Sequence, residues 1–261
     1  MAVAVALQLV AVGCGRAARR GLTLAGSTSL QPFAEKWADA YQARHPGLPI
    51  YVQGGGSTAG VEAALSGAAE IGMASRLLVP VESARLMAIP VARDGIAVVV
   101  NPTNPVRDLR LDQVRAIYAG QIRNWRFVGG RNASIAVITR EEGSGTRSAF
   151  EAMVTDPLRI AASALVQDST GAVRQMVASD PAAIGYVSFG LVDASVKALS
   201  LRGVEPNELN IDAGTYPLVR PFLFVVTPAR LKGVPRDFID WIVGPEGREL
   251  TRREGLLPPR A

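Results

Sequence analysis

The sequence predicts an α/β fold of two lobes, each a mostly parallel sheet flanked by helices, joined by a hinge of two strands. Three observations carry that expectation. Short, apolar, β-branched runs alternate with stretches of helical periodicity along most of the chain. A small loop rich in Gly, Ser and Thr recurs where such a run hands over to a helix, at 26–29, 54–60, 140–147 and 168–171. Two long apolar runs, near 95–101 and 220–226, suit strands that cross from one lobe to the other.

With 261 residues, 48% of them hydrophobic, the chain can bury a large core as one domain or two, and disorder is not expected. The formal net charge of +5 comes mostly from arginines scattered along the chain. The absence of a basic block argues against a nucleic-acid tail, and the balance suits a protein that collects small anions, although a GC-rich coding bias would give the same arginines. A single cysteine allows no intrachain disulfide.

That cysteine, Cys14, follows an apolar stretch of small residues, Met1 to Gly13, ending in Ala-Val-Gly. The stretch resembles a bacterial lipoprotein signal, in which the cysteine becomes the lipidated first residue after cleavage. It is too short for a stable transmembrane helix. The other reading is a plain signal peptide with an incidental cysteine. GRAARRG at 15–21 then reads as a basic linker.

Leu22 to Ala25 is the first expected strand. Leu30, Phe33, Ala34, Trp37 and Tyr41 recur at helical spacing until His45-Pro46-Gly47 stops the helix, and Pro32 fits its first turn. A strand at 49–53 leads through the second Gly/Ser/Thr loop to a helix carrying Val61, Ala64 and Leu65. Ala69 to Ser75 is a short strand, Glu82 to Met87 an expected helix, and Pro90 to Asn101 the most apolar strand of the chain. A helix is expected over 111–118, turns around Asn124-Trp125 and Gly129-Gly130, and a strand over 133–139. Another helix follows the loop at 168–171, Ile184 to Val187 is a buried strand, and 217–226 is the second crossing strand. The tail from Pro235 to Pro258 is mainly helical, with Phe238, Trp241, Ile242 and Leu250 on its apolar face. The organisation expected is therefore signal and linker over 1–21, one lobe from 22–97 plus 224–261, and the other from 98–223. The three tryptophans, Trp37, Trp125 and Trp241, read as core or loop-packing residues.

In open α/β sheets ligands bind beyond the carboxyl ends of the strands, where all the Ser/Thr loops fall. The stretch from Arg140 to Arg147 is the richest of them, because hydroxyls, glycines and a helix start lie between two guanidinium groups. One helix start favours an anion by about 0.3 to 1 kcal/mol, and hydrogen bonds to a charged group add about 1.5 to 3 kcal/mol each. Micromolar binding takes about 8 kcal/mol, so converging loops and an arginine are needed. Enzyme readings fare poorly. The only histidine, His45, sits beside Pro46 at an expected helix end, no G-x-S-x-G elbow or Walker A motif is present, and no His/Cys cluster could hold a metal. Gly54 to Ala59 satisfies G-x-G-x-x-A after a strand, a weak dinucleotide fingerprint that keeps a nucleotide-binding enzyme as an alternative.

An ordered set of motifs carries a family resemblance: GSTSLQP at 26–32, GGGSTAG at 54–60, EIGMASR at 70–76, DGIAVVVNP at 94–102, IYAGQIRNW at 117–125, REEGSGTR at 140–147, STGAV at 169–173 and AIGYV at 183–187, with the ending PEGRELTRREGLLP. Together they resemble the phosphate-binding proteins of bacterial phosphate ABC importers, the PstS family. The resemblance implies a periplasmic binding protein of the Venus-flytrap kind, monomeric and without catalysis, cofactor or metal. Such a protein closes on phosphate and hands it to a membrane permease, touching the membrane only through a lipid anchor and binding no nucleic acid. Carried over by motif, the ligand set is Thr28 and Ser29, Ser57, and Arg140, Ser144, Gly145 and Thr146, with Ser75 and Arg76, the pair that ends the strand at 69–75, as further candidate ligand-binding residues. Glu142 falls on the acidic position that holds the arginine, and Arg147 belongs to shorter-chain members. Ser75 stands where the better-known form has an aspartate that accepts the proton of hydrogen phosphate and so excludes sulfate. Asp94 is the candidate replacement acceptor. The same fold tuned to sulfate, molybdate or tungstate remains the alternative within the class.

Overall fold

The computed structural model describes residues 21–260; Cys14 and the signal and linker expected over 1–21 fall outside them except for Gly21. Strand β1 (Leu22–Gly26) leads to helix α1 (Gln31–Arg44), β2 (Ile50–Gln53) to α2 (Ser57–Ser66), and β3 (Ile71–Ala74) to a single turn, α3 (Pro80–Ser83). The long β4 (Met87–Val100) is followed by β5 (Asp108–Leu109), α4 (Leu111–Tyr118), β6 (Ala136–Arg140) and α5 (Gly145–Phe150), which runs into a π-helical turn at Glu151–Thr155. Then come β7 (Leu165–Gln167), α6 (Thr170–Ser179), β8 (Ala183–Ser188), β9 (Lys197–Ala198), β10 (Ser200–Leu201), α7 (Glu208–Ala213) and β11 (Val219–Val226). Helices α8 (Val234–Val243) and α9 (Pro245–Arg253) close the chain.

The strands run in the order β2-β1-β3-β11-β4-β8-β6-β7. In the first lobe β1 pairs parallel with β2 and β3, and in the second β6 pairs parallel with β7 and β8. The crossing strands β4 and β11 are antiparallel to each other and form the hinge. Strand β4 changes neighbour midway, pairing with β11 up to Gly95 and with β8 from Ile96.

Helices cover both faces of each sheet, as parallel strands require. One core joins α1, α8 and the first-lobe strands through Phe33, Trp37, Tyr41, Phe224 and Phe238, while Val61 and Ala64 of α2 pack against Ala74, Leu223 and Val225 on the opposite face. In the second lobe Val114, Tyr118, Phe150 and Tyr186 fill one side, and Val173 and Val177 of α6 the other. Trp37 is buried edge-on to Phe224, and Trp125 is buried with its indole N–H donated to the Ala182 carbonyl.

Two expected elements differ. The helix at 82–87 is only the turn α3, because Glu82 turns back to accept from the Val79 N–H and bind Arg76, and Met87 is already paired with Val226 in the hinge ladder. The strand expected from Ala133 starts at Ala136, since the Ala133 carbonyl takes the Trp125 N–H and Ser134 bridges to Asn124. Helix α7 and the short strands β5, β7, β9 and β10 were not expected, being too brief for periodicity to mark them.

Candidate functional site

Strand β6 ends on Arg140, which is buried although it carries a full charge. Its guanidinium is gripped from several sides. Nε and Nη2 donate to the two oxygens of Glu141 at 2.9 and 2.8 Å, Nε and Nη2 also reach the carbonyls of Gln167 and Asp168, Nη1 donates to Thr170 Oγ1 at 3.2 Å, and Nη2 donates to Thr28 Oγ1 at 3.0 Å. A planar fork can satisfy this many acceptors where an ammonium cannot. Thr28 belongs to the first lobe and Thr170 to the second, so one side chain bridges both.

After Arg140 the chain turns through Glu141–Gly143 into α5. Ser144 is its N-cap, accepting from the Arg147 N–H at 3.2 Å, while the Ser144 carbonyl takes the Ser148 N–H. The N–H groups of Gly145 and Thr146, in the unpaired first turn of the helix, have no acceptor among the described residues and are suited to an anion. Across from them a chain of hydroxyls joins the lobes: Ser29 Oγ lies 2.6 Å from Thr146 Oγ1 and 2.8 Å from Thr170 Oγ1. On the first-lobe side the Ser75 N–H donates to Ser57 Oγ at 3.0 Å, and the two serine oxygens are 3.2 Å apart. Ser57 starts α2, and the Thr58 N–H reaches the Gly143 carbonyl of the opposite lobe at 3.2 Å. Ser29, Ser57, Ser75, Ser144, Thr146 and Thr170 are all at most 1% exposed. Such a constellation offers many donors and one cation, with no nucleophile–base pair and, among the described residues, no group of side chains that could hold a metal.

Three expected residues, Glu142, Arg76 and Asp94, stand elsewhere than the sequence suggested, while Arg147 lies behind Arg140. The carboxylate on Arg140 is Glu141, and no hydrogen bond joins Arg140 to Glu142, which lies on the outer surface beside Arg147, Glu151 and Asp156. The adjacent residue wins because the side chain following the strand end folds straight back along the guanidinium. Arg147 supports from behind, donating to the Arg140 carbonyl at 2.9 Å and pairing with Glu151. Arg76 is bound by Glu82 through both nitrogens, at 2.7 and 2.8 Å, and donates to the Leu77 carbonyl, so the guanidinium is drawn to Glu82 and away from the hydroxyl cluster. Asp94 is buried in the hinge, where Oδ2 accepts from Nε and Nη2 of Arg220 at 3.0 and 2.8 Å and Oδ1 accepts from Ser188 at 2.7 Å. Burial pushes its carboxyl up, against the pull of Arg220, Ser188 and the Phe189 main chain. A carboxylate has about four lone-pair sites, and these partners leave little acceptor capacity for a ligand proton.

Comparison with known proteins bears on this geometry. Residues 15–246 match the model of the PBP superfamily domain. The phosphate-binding protein PstS of Bacillus subtilis (strain 168) is 30% identical over 274 residues, spanning 97% of this chain and 91% of the relative. A crystal structure from Clostridium perfringens, described as a phosphate ABC transporter substrate-binding protein with bound phosphate, superposes with a TM-score of 0.90 at 38% identity, covering 92% of this chain and all of that one. An ABC-type phosphate transport receptor from Vibrio cholerae gives 0.76 at 38% identity, with 91% of this chain and all of the other covered. This chain belongs to the PstS family. The cluster lies between the lobes of this PstS member, and sequence reasoning overlooked two of its participants, Thr170 and Glu141, together with Arg220 in the adjoining hinge. Thr170 sits in the Ser/Thr loop at 168–171, which the resemblance does not join to the ligand set, and Glu141 directly precedes the acidic position that the resemblance marks. Arg220 had a usable signal, a lone charge in the apolar run PLVRPFLFVV.

The Arg140 main chain is held by an aromatic stack in this PstS member. Its N–H donates to the Tyr186 hydroxyl at 3.3 Å, which also bonds Thr139 Oγ1 at 2.8 Å, and the Tyr186 ring stacks on Phe150 at 4.2 Å. Burial pushes the Tyr186 phenol up to about 12 and raises Tyr118 as well. A phenol with a raised folded-state pKa contributes stability fully below the unfolded value of about 10, and that contribution is lost as pH rises toward 12. Denaturant melts should therefore lose about 2 to 3 kcal/mol over this window from Tyr186 alone, with tyrosinate absorbance appearing late. Tyr186→Phe should flatten that decline, and an equally steep one in the variant would refute the assignment.

Proposed function

We propose that this protein is an extracytoplasmic solute-binding protein that takes inorganic phosphate between its lobes and delivers it to the permease of an ABC importer, with no chemical step of its own. The observation that carries the reading is Arg140, a buried guanidinium bonded to Thr28 of one lobe and Thr170 of the other, at the centre of six buried hydroxyl residues. Charge-assisted hydrogen bonds worth about 1.5 to 3 kcal/mol each reach the ~8 kcal/mol of micromolar binding once several hydroxyls and the α5 N–H groups act together. The names of the Bacillus, Clostridium and Vibrio relatives point to the same ligand and the same transport system. Thr28, Ser29, Ser57, Ser75, Arg140, Ser144, Gly145 and Thr146 are the proposed ligand-binding residues, with Thr170 added to them. The lobes are proposed to run over 22–97 plus 224–261 and over 98–223, supported by the change of neighbour in β4 between Gly95 and Ile96.

The protein is proposed to act as a monomer, anchored by lipid at Cys14. Among the described residues no helix is long and apolar enough to cross a membrane. The nucleotide reading loses its support, since the loop at 54–60 is pressed against the other lobe through the Thr58 N–H and the Gly143 carbonyl.

A second reading within the class, another oxyanion, is favoured by one observation. Ser75 supplies a hydroxyl where a proton-accepting carboxylate would discriminate phosphate from sulfate, and both nearby carboxylates, Asp94 and Glu141, are bound by arginines. Calorimetry with phosphate, sulfate and molybdate decides between them. Phosphate should bind at micromolar concentration or below and tighter than the others. Sulfate or molybdate binding as tightly as phosphate would move the assignment to the alternative.

A further inference from the structure

The ion pair between Asp94 and Arg220 occupies a position that the phosphate reading does not use. The two residues face each other across the hinge ladder, Asp94 on β4 and Arg220 on β11. Both are buried, the side chains 0% and 2% exposed. The pair reaches outward in two directions. Arg220 Nη1 donates to the Ser75 carbonyl at 3.3 Å, at the end of a first-lobe strand, and Asp94 accepts from Ser188 at 2.7 Å, at the end of the second-lobe strand β8. The guanidinium also lies over the Phe222 ring at 5.0 Å, which fixes its plane.

Ser75 is where the hydrogen bonds of the hinge meet those of the site. Its N–H donates to Ser57 Oγ, so the Ser57 hydroxyl proton is free to be given to the Ser75 oxygen or to an anion. Its carbonyl is the acceptor held by Arg220. The peptide planes on either side of Ser75 are thus tied, one to Ser57 and the other to the hinge.

We propose that Arg220 is a positioning residue for anion binding, holding the Ser75 main chain so that the Ser57 and Ser75 hydroxyls face the ligand, while Asp94 neutralises it within the hinge. The inference rests on the phosphate reading. It also gives Asp94 a role that does not require contact with the ligand.

Replacing a buried ion pair by apolar residues of similar size is often neutral or stabilising, whereas removing one partner is not. The double variant Asp94→Leu with Arg220→Met therefore separates structure from positioning. Against wild type, it should keep the melting temperature within a few degrees and lose phosphate affinity by about tenfold or more, the worth of one charge-assisted bond. The single variant Arg220→Lys preserves charge and can still meet Asp94, but lacks the fork that reaches Ser75 as well. It should fold and show a similar loss, and it answers the question if the double variant fails to fold. Phosphate affinity at the wild-type value in either folded variant would overturn the proposal alone. A wild-type protein that takes up no phosphate would overturn it together with the functional reading.

Discussion

Arg140→Ala should weaken phosphate binding by about a thousandfold, some 4 kcal/mol, while leaving a folded protein. Among the described residues the guanidinium is the only cation bonded to the hydroxyls of both lobes, through Thr28 and Thr170, and its neighbouring arginines are engaged elsewhere. Arg220 is committed to Asp94, and Arg147 to Glu151 and the Arg140 carbonyl. Truncation also frees Glu141, whose carboxylate would then face the incoming anion with nothing to neutralise it. The carbonyls of Gln167 and Asp168 lose a donor each, so unliganded stability should fall by about 1 to 3 kcal/mol, less than the loss in binding. Calorimetry at a temperature well below the variant's own melting point keeps the two effects apart. Arg140→Lys should recover part of the affinity, because one ammonium supplies charge without the fork. Binding within a few-fold of wild type in the alanine variant would remove Arg140 from the site.

The architecture was legible because the signals were long. Strand β4 is fourteen residues, apolar through its second half, and two-lobed crossing followed from its length and from the matching run at β11. The loops before α2, α5 and α6 were legible for a local reason, since Ser, Thr and Gly at helix starts leave donors unpaired by the helix itself. What the sequence left open was pairing at a distance. Nothing local says whether Glu141 or Glu142 turns back on Arg140, or that Arg76 will find Glu82 six residues on before it finds a ligand. Asp94 illustrates the limit most clearly. Its placement at the head of a buried strand marked it as important, but its partner lies 126 residues away on the other crossing strand. Burial then requires that partner: an isolated carboxylate at that depth would be costly, and Arg220 is the guanidinium that the hinge register places opposite it.

Electrostatically the site is nearly balanced before any anion arrives. Arg140 faces Glu141 and Arg220 faces Asp94, so recognition falls to oriented hydroxyls and helix N–H groups more than to net charge. These donors come from different lobes, and the geometry of closure therefore decides affinity.

Gly145→Ala tests that dependence without touching charge. A Cβ at Gly145 would fall 2.7 Å from Ser75 Oγ and 2.8 Å from Ser57 Cβ, and closer still to Ser57 Oγ. Rotation of a serine can move an oxygen aside, but it cannot move Ser57 Cβ, so the lobes must stand apart at this point. Within its own lobe the change is benign, because Gly145 opens α5 with ordinary backbone geometry and alanine is the better helix former. The strain therefore appears only where the first lobe meets the second. Overpacking of this kind costs about 1 to 3 kcal/mol, so phosphate affinity should drop by about ten- to a hundredfold while each lobe remains folded. Small-angle scattering should show a smaller contraction on phosphate addition than in wild type. Gly171→Ala is the matched control, at the start of α6 with nothing within 4 Å of the added methyl. It should bind as wild type does. Equal affinities in the Gly145 and Gly171 variants would mean that the anion is held without close approach of Ser57 to α5, and the site would have to be redrawn around the second lobe alone.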